Sequence, residues 1–201
     1  MKYEDIQVND CCIRIPIPSS YNDAFELVRS DWFRLNGRKP SKTRMLLGLR
    51  NYHTAFLFWL RFSSYKGILY PICRRFLNYY SRKYSLLIEP ETKIGYGLYL
   101  GHFCNIVINP TAIIGNNVNL SQFTTIGSNE GAAAIIGDQV YIGPNVCTVE
   151  NIIIGFNSTI GAGSVVVKNV PQDVTVAGVP AKIISYKKPA RFIKNIYSPE
   201  N

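Results

Sequence analysis

The stretch that decides the fold spans residues 135–166 and reads IIGDQVYIGPNVCTVENIIIGFNSTIGAGSVV. Every sixth residue in it belongs to one series: Ile136, Ile142, Thr148, Ile154, Ile160 and Val166. The same period extends back toward the start of the chain through two more runs: Ile88, Ile94 and Leu100, then Ile108, Ile114, Leu120 and Ile126. Twelve of these thirteen positions are aliphatic, and eight are followed by glycine.

A six-residue period predicts a parallel β-helix, because it fits neither a 3.6-residue helix nor a flat strand. Each aliphatic side chain should point inward and stack on its counterpart one coil later, at the inter-strand spacing of about 4.8 Å. We expect the glycine that follows it to turn the corner with a positive φ. The alternative, a β-sandwich, requires a period-two alternation that this stretch lacks.

Two breaks in the period predict functional insertions. Leu100 and Ile108 are eight residues apart, and Ile126 and Ile136 are ten apart. The first insertion contains His102, and the second is predicted to be a protruding loop of small residues at 127–135. They leave from different corners of the coil, so we expect them to meet only along a groove or across a subunit boundary.

Composition limits the class of protein. The 201 residues are 47% hydrophobic and contain no apolar run of eighteen, which predicts a globular, non-spanning chain. The start, MKYEDIQVND, resembles no secretory signal. The five cysteines include no CxxC pair, so we expect neither a disulfide framework nor a metal site, and a cytoplasmic location.

Charge divides the chain into regions. Residues 29–84 carry thirteen Lys or Arg and one acid, a charge of +12, whereas the remaining nine bases and twelve acids give −3. We therefore predict a basic α-helical N-terminal region at 1–85, a β-helix at 86–185 and a C-terminal tail at 186–201.

The N-terminal region is predicted to be helical. Phe25, Val28, Trp32 and Leu35 share a helical face that ends at Gly37, and further helices are expected at about 42–62 and 66–84. Aromatic residues among the cations suit a lipid-linked phosphate or the anionic surface at the inner face of the cytoplasmic membrane, and the alternative is packing against the β-helix and its neighbours. No nucleic-acid reader motif accompanies the charge, so nucleic acid is not an expected partner.

Several motifs resemble the hexapeptide acyltransferases of the serine O-acetyltransferase type over residues 86–185. The motifs are Gly97-Leu98-Tyr99-Leu100-Gly101-His102, Ile106-Val107-Ile108-Asn109-Pro110, Thr124-Thr125-Ile126-Gly127, Ile160-Gly161-Ala162-Gly163-Ser164-Val165-Val166 and Ala177-Gly178-Val179-Pro180-Ala181-Lys182. The resemblance implies a left-handed parallel β-helix, a homotrimer with active sites between subunits, and acetyl-CoA as the donor.

The match to the family's site is partial. His102 matches the family's catalytic histidine. Leu87 stands where the family has the aspartate that supports this histidine, and Gly101 stands where the family has an acidic residue just before it. The loop at 130–134 also lacks the family's second histidine. Because these groups act on serine, the sequence resembles the polysaccharide O-acetyltransferase branch, and serine O-acetyltransferase is the alternative.

His102 is the candidate general base, because a neutral imidazole can take up a proton near neutral pH. Candidates for holding it are Glu89, Asn105, Asn109 or a backbone carbonyl, and the oxyanion donors are expected near Gly127 or Gly143. The other histidine, His53, lies in the basic region and is interpreted as structural.

Small residues are expected to leave a slim groove for the pantetheine arm of the donor. The candidate donor-binding residues are Gly143, Gly161, Ala162, Gly163, Pro180 and Lys182, whose ammonium could meet the nucleotide phosphates. The candidate acceptor-binding residues are Tyr99, Phe103, Gln122, Phe123 and Glu130.

The predicted function is transfer of acetyl from acetyl-CoA to a saccharide hydroxyl. A zinc carbonic anhydrase needs three histidines and the chain has two, and a sugar-nucleotide pyrophosphorylase needs a phosphate loop that residues 1–85 lack. A structural β-helix without catalysis is the alternative of another class. Outward-facing Phe123, Tyr141 and Phe156 favour a trimer, because a single prism would leave them exposed to water.

Overall fold

The computed structural model describes residues 1–8, 11–187 and 189–199 and begins with a β-hairpin, followed by four helices and a long β-solenoid. The hairpin strands are β1 (Lys2–Val8) and β2 (Cys11–Ile17). The helices are α1 (Tyr21–Asn36), α2 (Lys42–Leu47), α3 (Tyr52–Ser63) and α4 (Tyr70–Tyr84).

The solenoid is a left-handed parallel β-helix of about five turns, as predicted. Its strands in chain order are β3 (Leu86–Ile88), β4 (Lys93–Ile94), β5 (Tyr99–Leu100), β6 (Ile106–Ile108), β7 (Ile113–Ile114), β8 (Asn119–Leu120), β9 (Thr125–Ile126), β10 (Ile135–Ile136), β11 (Tyr141–Ile142), β12 (Cys147–Thr148), β13 (Ile153–Ile154), β14 (Thr159–Ile160), β15 (Val165–Val166), β16 (Thr175–Ala177) and β17 (Lys182–Ser185).

Three sheets form the walls of this prism. The first sheet has the order β3-β6-β9-β12-β15, the second β4-β7-β10-β13, and the third β5-β8-β11-β14-β16-β17. All thirteen predicted inward positions lie in strands and are buried, with Ile94 the most exposed at 6%. Ile136 pairs with Ile154 and Ile142 with Ile160, eighteen residues further along the chain, which confirms the six-residue period.

The corners are built differently from the sequence prediction. The positive φ falls on the third residue after the inward aliphatic, not on the glycine beside it. Residues of this kind are Gly97, Asn117, Phe123, Gln139, Asn145, Asn151, Asn157, Gly163 and Asp173. Asn and Asp tolerate this left-handed region better than most residues because their short side chains can hydrogen-bond locally.

The glycine beside the aliphatic is needed because the next coil lies very close. A Cβ on Gly155 would lie 2.4 Å from the backbone nitrogen of Gln172, and one on Gly137 would lie 2.8 Å from that of Phe156. A real Cβ atom does not approach a backbone that closely without displacing it.

The β-hairpin corrects the helical prediction for residues 2–17 and covers the second sheet. Val8, Ile13 and Ile15 pack on the outward side chains of the second sheet, which are Ile113, Ile135 and Ile153. Burial of apolar area on both sides stabilises this contact.

Helix α1 agrees with its predicted limits. The Ser20 side chain accepts from the Asp23 N–H at 3.1 Å, and Gly37 ends the helix with a φ of 67°. The predicted helix at 42–62 is instead split by a 3₁₀ turn, where Gly48 lies so close to the Trp32 ring that a Cβ would be 2.4 Å from it. The predicted helix at 66–84 begins at Tyr70.

Three charged side chains join the helices to the first coils of the prism. Arg61 in α3 donates to both oxygens of Asp31 in α1, at 2.8 and 2.9 Å, and to the carbonyls of Ile94 and Gly95. Arg34 donates to the Asn119 side chain at 2.6 Å. Burial raises the pKa of the Asp31 carboxyl, partly offset by Arg61, and lowers the pKa of Arg34 to about 10.

The C-terminal residues and α1 cover the outward face of the third sheet. Asn119 donates to the Phe192 carbonyl at 3.3 Å, and the Phe192 ring lies 4.7 Å from the ring of Tyr141. The N–H of buried Tyr197 donates to the Asn117 side chain at 2.8 Å.

The first sheet differs from the other two because its outward apolar side chains remain exposed. Leu87 is 51% exposed, and its pairing partner Val107 is 39% exposed. Thr125, Cys147 and Val165 continue this row on the following strands.

Candidate functional site

His102 lies on a turn that is fixed by its neighbour. The turn joins β5 to β6, and His102 is exposed with a φ of 52°. The next side chain, Phe103, is 3% exposed and packs edge to face on Phe56 at 5.5 Å and on Tyr84 at 6.0 Å. The helices therefore hold the turn while the imidazole faces outward.

The turns between the third and first sheets stack into one column, called here the His102 corner. It comprises residues 101–105, 121–124, 143–146 and 161–164. Backbone bonds join successive turns: Phe123 N–H to Cys104 at 3.2 Å, Asn145 N–H to Gln122 at 3.1 Å and Gly163 N–H to Pro144 at 2.8 Å. The candidate base and four candidate donor residues, Gly143, Gly161, Ala162 and Gly163, thus lie on the same edge of the prism.

Apart from Pro144 and the exposed Asn145, the lower part of the His102 corner presents only small residues to solvent. A Cβ on Gly163 would meet no atom within 4 Å, which shows that the space outside this turn is open. Pro180 and Lys182 are exposed just beyond it, where β17 turns back and pairs antiparallel with β16. Among the sequence-predicted donor residues, Gly161, Ala162 and Gly163 thus line this edge below His102 with Pro180 and Lys182 beyond them, whereas Gly143 is buried.

Two of the predicted partners of His102 lie at a different corner. Glu89 and Asn109 follow β3 and β6, at the edge between the first and second sheets, whereas the turn of His102 precedes β6. Glu89 pairs with Arg74 at 2.5 Å, and the side-chain oxygen of Asn109 accepts from the Thr111 hydroxyl at 2.8 Å. These two predictions are corrected, and Asn105 remains the candidate on the turn itself.

The acceptor candidates divide in the same way. Gln122 and Phe123 lie one coil below His102, and Phe123 is 46% exposed. Tyr99 is half-buried on the third sheet, with its ring 3.6 Å from where a Gly101 Cβ would lie. Phe103 is in the core, so its assignment to the acceptor surface was wrong. Glu130 is exposed on the loop at the other edge of the first sheet.

Two polar groups at the His102 corner differ in their hydrogen bonding. The side-chain oxygen of Gln122 is buried and accepts no hydrogen bond from any described residue. The N–H of Gly143, one of the predicted oxyanion donors, already donates to Ile160 at 2.9 Å within the coil ladder. A buried carbonyl without a donor is costly, which makes Gln122 the group most in need of a partner at this site.

The predicted basis for a trimer needs revision. Tyr141 packs on Phe192, and Phe156 packs beneath the hairpin, so of the three aromatic residues only Phe123 is open. The open surface is instead the row that contains Leu87 and Val107 on the first sheet, which adjoins the His102 corner. Its sequence signal was present, because these residues precede the inward positions Ile88 and Ile108.

Comparison with solved structures identifies the family. The chain matches the serine acetyltransferase of Neisseria gonorrhoeae, solved in complex with serine, at 36% identity and a TM-score of 0.66, covering 80% of this chain and 69% of that one. The chain belongs to the serine acetyltransferase family. A serine acetyltransferase of Brucella abortus, solved with coenzyme A, matches at 31% identity and a TM-score of 0.66, covering 79% of this chain and 66% of that one.

Curated serine acetyltransferases agree with this assignment. The relative from Buchnera aphidicola (strain Sg) is 36% identical over 160 residues, which is 77% of this chain and 60% of that protein. The chain thus spans less than two thirds of the length of this relative. No family profile matches the chain. The similarity favours the serine acetyltransferases themselves and corrects the prediction of the polysaccharide branch.

Proposed function

We propose that this member of the serine acetyltransferase family transfers acetyl from acetyl-CoA to the hydroxyl of serine. The observation that carries the proposal is the His102 corner, where an exposed histidine stands at one end of a glycine-rich edge. The support from relatives is that one solved enzyme holds serine and another holds coenzyme A. The saccharide acceptor, ranked first by sequence, becomes the second candidate.

In the proposed reaction, each step combines one proton transfer with one change of bonding at the thioester carbonyl. The imidazole of His102 takes the proton of the acceptor hydroxyl as the oxygen attacks the thioester carbonyl. The tetrahedral intermediate then expels the coenzyme A thiolate, which receives the proton from the imidazolium. The acetyl ester and free coenzyme A leave, and His102 returns to its neutral form.

Gln122 and Asn105 are the residues placed to support this base. Gln122 is one coil below His102, and its buried side-chain oxygen accepts from no described residue; Asn105 is on the same turn as His102. An amide oxygen that accepts from one imidazole nitrogen would keep the other nitrogen as the acceptor of the proton. These amides would replace the aspartate that the family carries where this chain has Leu87.

A second copy of the chain completes the proposed site. The exposed row of Leu87, Val107 and Cys147 lies between the two insertions, so a copy packed there would place its own residues beside His102. A β-helix with two walls covered by its own chain has the first sheet left for self-association. Val107→Glu should dissociate the oligomer in light scattering and lower activity, whereas Ile184→Glu, on exposed β17, should do neither.

One observation favours a neutral acceptor as the second candidate. Serine carries an ammonium and a carboxylate, and burying either without a partner is costly. Leu87 and Gly101 supply no charge near His102. A saccharide hydroxyl has no such requirement, and the open Phe123 ring and the Gln122 amide suit a sugar.

The test is acetyl-CoA consumption with L-serine compared against a panel of glycans and nucleotide sugars. The proposal predicts saturable release of coenzyme A with serine at millimolar concentration and the matching O-acetylserine product by mass spectrometry. Release with a glycan and none with serine would transfer the assignment to the second candidate. Release with neither acceptor would overturn both.

A further inference from the structure

One face of α4 combines exposed apolar side chains with cations that form no ion pair with a described carboxylate. Arg75, Arg82 and Lys83 are exposed on this helix, which contains no acidic residue between Tyr70 and Tyr84. Together with Pro71, Asn78 and Tyr79 they border an open groove of about 680 Å³. The α4 face is defined here as the exposed part of residues 68–83.

Five other cations of the basic region are engaged by acidic or polar groups within the chain. Arg34 and Arg61 are buried in the joint with the prism, and three more form ion pairs: Arg29 with Glu26, Lys66 with Glu91 and Arg74 with Glu89. Arg75 and Arg82 form no ion pair with a described carboxylate, and Lys83 lies over the rings of Tyr79 and Tyr84. The three cations of the α4 face are therefore not neutralised by a described carboxylate. Arg38, Lys39, Lys42 and Arg44 form a second such cluster, between α1 and α2, where Lys39 and Lys42 lie over the rings of Tyr197 and Phe25.

An apolar stripe runs along the same face. On α4, Ile72 is 54% exposed, Phe76 44% and Tyr79 56%, at the three- and four-residue spacing of one helical side, and Phe76 also stacks on Trp59 at 4.5 Å. Ile68, in the turn before the helix, is 90% exposed. On the opposite side of α4, Cys73 and Leu77 are buried against the rest of the protein. One side of α4 therefore packs against the core, and the outer side carries both apolar and basic side chains.

We infer that the α4 face binds the surface of an anionic lipid bilayer. Aliphatic and aromatic side chains can enter the boundary between head groups and acyl chains while the neighbouring cations meet lipid phosphates. No helix in the described ranges is long and apolar enough to cross a membrane, so the contact lies in the plane of the interface. The sequence offered this contact for residues 29–84, with packing against the β-helix as the alternative, and the inference assigns it to one helix face.

Two other occupants fit the same surface less well. A two-fold contact between copies would place the same three cations of each chain against each other, with no acid on α4 to compensate. Nucleic acid would neutralise the cations but leave the exposed side chains of Ile68 and Ile72 in contact with water.

The experiment measures sedimentation of the purified full chain with phosphatidylcholine vesicles, with and without one third phosphatidylglycerol. Each cation contributes about fivefold in partitioning to anionic vesicles, so the triple variant Arg75→Gln/Arg82→Gln/Lys83→Gln should bind about 100-fold more weakly. The matched control, Lys168→Gln/Lys187→Gln/Lys194→Gln, removes three exposed cations elsewhere and should bind like the parent. Ile72→Ser, which removes an exposed apolar side chain, should weaken binding at every salt concentration.

The outcomes separate the occupants. Binding that requires phosphatidylglycerol, weakens with salt and is lost only in the α4 variants supports the inference. Equal loss in both triple variants, binding to neutral vesicles alone, or no binding at low salt overturns it. A change of oligomeric state in the α4 variant, or tighter binding to a polynucleotide than to vesicles, assigns the face to another partner and also overturns it. Retained acetyltransferase activity in both variants separates this result from the test of the proposed function.

Discussion

Arg61 donates two hydrogen bonds to the Asp31 carboxylate, at 2.8 and 2.9 Å, in a joint where the two side chains are 4% and 1% exposed. The same carboxylate accepts from the Leu98 N–H at 2.8 Å, while Arg61 also reaches two carbonyls of the first coil. One ion pair thus joins α1, α3 and the β-helix.

Asp31→Asn should destabilise the fold by about 3–5 kcal/mol, because it leaves the Arg61 charge buried without its partner. The matched control is Glu26→Gln, whose carboxylate is 44% exposed in its pair with Arg29 and should cost less than about 1 kcal/mol. Urea unfolding of both variants checks the difference. Similar losses of unfolding free energy in the two variants would show that the buried Asp31–Arg61 pair stabilises the fold no more than the exposed Glu26–Arg29 pair.

Phe103→Ala should cost about 3–5 kcal/mol and also lower turnover, because the ring anchors the turn of His102 to Phe56 and Tyr84. Phe123→Ala provides the comparison, since that side chain is 46% exposed and should change the free energy of unfolding little. Thermal unfolding and initial rates at saturating substrates are the measurements. Full activity in a stably folded Phe103→Ala variant would contradict the anchoring role.

Gly155→Ala should cost about 1–3 kcal/mol, since its Cβ would lie 2.4 Å from the Gln172 backbone nitrogen. Gly127 follows the inward aliphatic in the same way, but a Cβ there would find its nearest atom at 3.8 Å. Gly127→Ala should therefore stay within about 0.5 kcal/mol of the parent. Equal effects on the denaturation midpoint would mean that the approach of the next coil does not explain the glycines.

The fold could be predicted because the inward series from Ile88 to Val166 leaves one geometry that buries it. The conformation of the corners could not, since it depends on how closely neighbouring coils approach, and the repeat alone does not state that distance. The hairpin at 2–17 was missed because its alternating residues find their apolar partner in Ile113, Ile135 and Ile153, more than ninety residues away.

The candidate site could be predicted only in part, because the positions of its residues also depend on contacts between distant parts of the chain. His102 and Gly161-Ala162-Gly163 were found from a break in the period and from small residues, and the coil places both at one corner. Glu89 was predicted to lie near His102 because both belong to the first coil. The sequence does not reveal, however, at which edge of a sheet a residue of that coil lies. The open row of Leu87 and Val107 became visible only once the hairpin and the C-terminal residues were seen to cover the other two walls.

The most direct test of the account is the rate of serine-dependent coenzyme A release by His102→Asn, with coenzyme A affinity measured by calorimetry on the same samples. General-base catalysis predicts a fall in turnover of about 10² to 10⁴-fold with affinity nearly unchanged. His53→Asn, which replaces the other histidine of the chain, should retain the parent rate. A His102→Asn enzyme that turns over serine within a few-fold of the parent rate would contradict the account.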